Sequence, residues 1–346
     1  MTRLLPILSC LSLIGTTLWG ADPYGTVIEE WAEDPDSIET GPSVFVDGDL
    51  IVGGSSPSHS VDTVMYGGLD VTGNSTNNVV VFGSYTSKAS NGMPEGNGSR
   101  LVWHPGKSAF RVGYAFLGTG DDSNIGYHSS AIGNKALASG ASSVAIGNSA
   151  EATGLNGLAV GFGSEATGQN SSAFGFGASS TGYGSLAFGR SGEATNNDAV
   201  AFSYAEATGS GAIAAGYSAL AQGSDSVAFG YATQAIGDRS HSINGYTIAN
   251  GQYSFAAGLM TNAEAYNSFV VGRYNRSLDS NDSVPNATAW EDDDPVFEIG
   301  IGNGQSGHVD QYKNAVTVYK NGDVDIAGAI TVKSYAGDIS MGIYGN

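Results

Sequence analysis

Through the middle of the chain, large apolar and small residues alternate in short runs that glycine repeatedly interrupts. In Ser143-Val144-Ala145-Ile146-Gly147, a period of two places Val144 and Ile146 on one face and Ser143 and Ala145 on the other, as in a short strand. The pattern recurs with its leading small position at Ala131, Ala145, Ala159, Ala173, Ala187, Ala201, Ala214, Ala228, Ser242, Ala256 and Val270. Nine of the ten steps between these eleven units are 14 residues long, and Ala201 to Ala214 is 13. Glycine, or Ser203 and Asn244 in its place, follows two positions later, and a second corner closes most units, as at Gly140, Gly154, Gly168 and Asn196. Two corners per unit predict two short strands, and the fixed period predicts an all-β chain of coils stacked as a β-solenoid. Glycine suits corners because they demand positive φ or close backbone approach.

A coil of 14 residues encloses a narrow lumen, so the Ala and Ser face is expected to point inward and the larger face outward. The outward column includes Val144, Ile146, Leu158, Val160, Phe174, Leu186, Phe188, Val200, Phe202, Val227 and Phe229. Where one member of a pair shrinks the other stays large, as in a packed seam of constrained volume. Two aliphatic side chains per unit do little against the entropy of fixing a whole coil, so association with another copy along this seam is expected to complete the core. Unit nine, Ser240-His241-Ser242-Ile243-Asn244, departs from the pattern and is expected to be a local irregularity. The residue after each first glycine forms a further column, aromatic at Phe162, Phe176, Tyr204, Tyr217 and Tyr231. Exposed, it is a surface for protein or glycan; covered by a neighbouring chain, it is packing, the reading we favour because an open aromatic strip invites aggregation.

With Ser143-Val144-Ala145-Ile146-Gly147 and Ser226-Val227-Ala228-Phe229-Gly230 as the closest matches, the repeats resemble the head repeats of YadA-like trimeric autotransporter adhesins. That resemblance covers about 146 residues, Ser130 to Asn275. It implies a left-handed parallel β-roll, a homotrimer packed through the apolar strand faces, and binding to extracellular matrix or to cell-surface protein or glycan. No sustained heptad, and no run of alternating strands long enough for a barrel wall, follows Asn275, so neither stalk nor membrane anchor is expected here.

Five segments follow: a signal peptide at 1–21, an N-terminal β-rich region at 22–124, the roll at 125–275, an acidic loop at 276–295 and a C-terminal β-rich region at 296–346. Arg3, the apolar stretch Leu4 to Leu18 and Trp19-Gly20-Ala21 carry the first reading, which predicts a secreted or cell-surface protein. Only six apolar residues precede Cys10, short for a lipoprotein signal, and cleavage near Ala21 removes this sole cysteine. No transmembrane segment is expected in the mature chain. In the flanks, Val44-Phe45-Val46, Asp49 to Val52, Ala315 to Tyr319 and Gly328 to Val332 read as strands. The similar turns Asp47 to Gly54 and Asn321 to Gly328 suggest end caps or chance.

The balance of 13 Lys+Arg against 33 Asp+Glu gives a formal charge of -20, which argues against nucleic acid as a partner. The five histidines, His59, His104, His128, His241 and His308, lack metal-ligand spacing, and neither a nucleophile elbow nor a helix signal is present. No cofactor and no catalysis are expected. Calcium at Asp121-Asp122-Ser123-Asn124 or Glu291 to Asp294 is the one metal reading with oxygen ligands to support it. The functional expectation is an adhesin-like surface protein, with a structural β-roll spacer of roughly 50 Å at about 4.8 Å per coil as the alternative.

Overall fold

The computed structural model describes residues 80–83, 87–88, 94–306 and 311–329, all within the compact unit spanning 71–346. The signal peptide, the strands foreseen at 44–46 and 49–52, the Asp47 to Gly54 turn and most of the run foreseen at 328–332 lie outside those residues. Strands and tight turns account for the described chain. Its helical elements are two 3-10 turns, Pro105–Lys107 and Asp122–Asn124.

Eleven long strands, from Ser130–Ile132 to Phe269–Arg273, alternate with ten short ones, from Leu137–Ala138 to Asn262–Ala263. Each pairs in parallel with its counterpart one coil away: Leu158, Ala159 and Val160 lie beside Ser172, Ala173 and Phe174, and Glu165 and Ala166 beside Glu151 and Ala152. The solenoid therefore has two ladders joined by two corners. The 13-residue step keeps both ladders in register, Val200 beside Ile213 and Glu193 beside Glu206. Its missing residue comes from the corner between Phe202 and Glu206. Unit nine corrects the expectation of an irregularity: His241 to Gly245 pair residue for residue with Val227 to Tyr231. Ser242 fits the lumen and Asn244 takes the corner at φ 88.

The lumen is lined by small side chains. Ala145, Ala159, Ala173, Ala187 and Ala201 on the long strands and Ala152, Ala166 and Ala194 on the short ones are fully buried. Ser143, Ser171 and Ser185 fill a corner column and donate to the carbonyls of Gly140, Gly168 and Gly182 at 2.7, 2.7 and 2.8 Å. Coil spacing dictates the corner glycines as well. Gly161 has φ +131, and a Cβ there would collide with the carbonyl oxygen of Gly175 in the next coil.

Charged residues close both ends of this lumen. At the N-terminal end the antiparallel hairpin Gly98–His104 and Ala109–Ala115 adds a parallel strand to the first coil, with Arg111 in the alanine column beside Ala131. Arg111 donates to the carbonyls of Phe110, Ser129 and Ala138 and to the Ser129 hydroxyl at 2.7–3.0 Å. At the other end Pro295–Ile301 continues the long ladder, with Glu298 beside Val270. Fully buried Glu298 accepts from Asn314 Nδ2 at 2.7 Å and from Asn275 Nδ2 and Ser277 Oγ at 3.2 Å each. Asn314–Tyr319 and Val324–Ile326 then turn antiparallel, so the turn at Asn321-Gly322 joins a hairpin. The loop at 276–294 is mainly exposed, with Asp294 as a correction to its expected solvation. Asp294 is buried in an ion pair with buried Lys320 at 3.2 Å.

Ala187→Leu, which forces a branched side chain into the lumen, should cost roughly 1–3 kcal/mol or more. Ala215→Leu on the half-buried outer face should stay within about 0.5 kcal/mol. Thermal melting followed by circular dichroism compares the two. Burial raises the Glu298 carboxyl from 4.5 to about 7, and the neighbouring Glu264 charge adds to the rise. A carboxyl raised in the folded state favours folding most below its unfolded pKa, and that advantage is lost as pH climbs through the folded value. The melting midpoint should therefore fall between about pH 4.5 and 7, by the equivalent of on the order of 3 kcal/mol, and Glu298→Gln should flatten that slope.

Candidate functional surface

Filling the lumen with methyl groups and hydroxyls leaves the bulky residues of each long strand on the outside. Val144, Leu158, Val160, Phe174, Leu186, Val200 and Val227 are half-buried, and Ile146, Phe188, Phe202 and Phe229 are exposed. They form one apolar sheet face, with Phe174 tilted against Phe188 at 5.1 Å and Phe188 against Phe202 at 6.4 Å between ring centroids. Toward the C-terminal end Phe255, Phe269 and Phe297 extend it at 4.7 and 5.9 Å. Sequence reasoning placed these side chains outward, and the fold puts them there. Their role between chains is a matter for proposal.

Beside this face, at the first corner, lies a ladder of rings. Phe162 and Phe176 stack at 5.0 Å and 7°. The Arg190 guanidinium bridges 5.5 Å to Phe176 and 5.6 Å to Tyr204. Tyr204, Tyr217 and Tyr231 follow at successive spacings of 5.4 Å, and Tyr246 meets Tyr231 edge-on at 5.1 Å. The spacing follows from the backbone, because inter-coil hydrogen bonds run through the corner, as from Gly177 N to Phe162 O and Ala232 N to Tyr217 O, each at 2.8 Å. Tyr204, at φ 58, keeps its place in the shortened corner by adopting a left-handed conformation. In this chain the rings lie outside, Phe162 at 52% and Tyr217 at 55% exposure. Where the rings lie face to face, at Phe162 and Phe176 and at Tyr217 and Tyr231, the ladder offers ring edges and phenol hydroxyls. Sequence reasoning missed Tyr246, because a strict count puts Gly245 in the column, and missed Arg190 as the bridge; its place between Phe176 and Tyr204 was the available signal.

The polar groups of the acidic tracts, and His104, make these contacts within the fold. His104 Nε2 meets Asp122 Oδ1 at 2.9 Å, with Lys107 Nζ at 3.2 Å from the same oxygen. Asp121 accepts from the Gly96 backbone at 2.6 Å. Of the other acidic tract, Asp293 accepts from Asn281 at 3.0 Å and Asp294 holds Lys320. His128 and His241 are separate and exposed. Among the described residues no three His, Cys, Asp or Glu side chains converge on a metal position, and no helix is long and apolar enough to cross a membrane.

Comparison with known proteins agrees with this geometry. The family model described as YadA head domain repeat (2 copies) matches residues 125–150, 152–178, 207–233 and 249–275. Those segments span the solenoid from its first corner to its last long strand. No curated protein matches the chain.

If ring stacking stabilises the ladder, Tyr217→Ala and Tyr231→Ala should be coupled. A double-mutant cycle by chemical denaturation should return about 0.5–1.5 kcal/mol of interaction.

Proposed function

Taking residues 125–275 as a stack of YadA head domain repeats, we propose that this chain is an adhesin-type protein of the cell surface or extracellular space, acting without catalysis. The observation that carries the reading is the pair of parallel outer surfaces, the apolar strand face that runs along the stack and the aromatic ladder from Phe162 to Tyr246 beside it. A surface repeated on one rigid body engages partners many times over, and the avidity exceeds any single contact. The partners are matrix components or cell-surface proteins or glycans. Export rests on the signal peptide read at residues 1–21.

In this proposal the large residues of the long strands, among them Leu158, Val160, Leu186, Phe188, Val200 and Phe202, are the seam of a homotrimer. Left open, the face is a contiguous apolar patch of a kind that monomers rarely show. The ladder at Phe162, Phe176, Tyr204, Tyr217 and Tyr231 is the ligand surface. A structural spacer is the second reading, and the self-stacked ring faces favour it, since they already bond the coils to one another.

Light scattering coupled to size exclusion on the secreted chain should return three times the chain mass, unchanged on dilution. A folded monomer would refute the seam. In that oligomer, replacing Tyr204, Tyr217 and Tyr231 by Ser should abolish binding to matrix-coated surfaces and glycan arrays; retained binding would refute the ladder as the ligand surface, and an unaltered oligomer that binds neither would favour the spacer.

A further inference from the structure

The hairpin that closes the N-terminal end of the lumen carries two buried arginines on one face. Arg100 pairs across the hairpin with Gly113, and Val102 with Arg111, so the two guanidinium groups are diagonal neighbours on the same side. They are 6% and 5% exposed, and both line a cavity of about 20 Å³ walled by Gly113, Gly120, Gly133 and Ala136.

Each arginine brings an unspent donor. Arg111 uses its two terminal nitrogens on carbonyls and one hydroxyl, all neutral, and its Nε has no partner among the described residues. Arg100 donates from Nη2 to the Gly96 carbonyl at 3.1 Å, and its Nη1 is likewise without a partner. Thr119 also lines the cavity; its oxygen accepts from Phe116 N at 3.2 Å, which leaves its proton free to donate. Among the described residues no carboxylate lines the space.

The charge balance is uneven in the same direction. Asp121 and Glu95 act on Arg100 from outside the cavity, and burial still lowers its pKa. Burial brings Arg111 down to about 10, with no carboxylate among the described residues to counter it. A buried cation whose partners are all neutral is costly, and a counter-ion at an unspent donor relieves that cost. A volume near 20 Å³ suits one guest of about the size of a water molecule.

We propose that this cavity binds a single small monovalent anion of the halide class, with chloride as its ordinary occupant, held between Arg100 and Arg111 as the plug of the solenoid's first end. The chain's net charge of -20 repels anions at long range, so the binding is a local property of these two donors. The site has no part in adhesion and is independent of that reading.

Crystals of the secreted chain grown in sodium bromide at physiological ionic strength should show an anomalous peak within hydrogen-bonding distance of both guanidinium groups. In solution, replacing gluconate by chloride at fixed sodium concentration should raise the melting midpoint saturably, by roughly 2–4 °C. Arg100→Gln, which removes the less heavily bonded arginine, should abolish that increment. Water without anomalous signal in the cavity, bromide occupancy at molar concentration only, or equal midpoints in the two salts would each overturn the proposal. Should Arg100→Gln fail to fold, the bromide experiment on the unaltered chain still decides.

Discussion

The narrowness of the coil governs the rest of this molecule. Backbones one strand spacing apart leave a lumen that takes methyl and hydroxymethyl groups, and Ala159, Ala173 and Ala187 fill it completely. Apart from Val270 at the last coil and a few threonines, the coils do not hide their own bulky residues. Leu158, Phe174 and Phe188 are forced outward by the same geometry that buries the alanines between them, so the core supports the coil and the surface inherits the hydrophobic area. In most folded domains large side chains make the interior; here they stand on the outer face.

The same spacing explains the ring ladder. A side chain at one corner meets its counterpart one coil on at about 5 Å, which is stacking distance for aromatic rings, and Arg190 fits between rings because a guanidinium is also flat. Stacking and the backbone ladder reinforce each other. The face-on pair Phe162 and Phe176 marks the most regular corners, whereas Tyr231 and Tyr246 turn edge-on where the corner changes from glycine to Asn244.

How much of this was legible in the sequence depends on whether the period reaches the residue concerned. The two corners, the two strands and the inward or outward sense of each side chain could be read because every unit repeats the same test. Unit nine misled because His241 and Asn244 differ in identity from their counterparts while meeting the same steric demands. Arg111 and Glu298 were invisible because they stand outside the repeats, in segments whose strands showed no period, and only strand pairing reveals that they occupy alanine positions. Asp294 was hidden by its neighbours: Glu291, Asp292 and Asp293 are solvated, and the buried partner Lys320 lies 26 residues away.

The two plugs have a consequence for how such a chain can change its length. Every coil presents to the next the same surface that it receives from the last, so duplicating or deleting a whole unit breaks no contact that another unit cannot remake. Arg111 and Glu298 fit only at the termini of the stack and do not depend on the number of coils between them. A gene encoding this protein could therefore gain or lose reach by unequal recombination within its repeats, while a frame-preserving change of one codon would be tolerated only where coil six already shows it, at a corner.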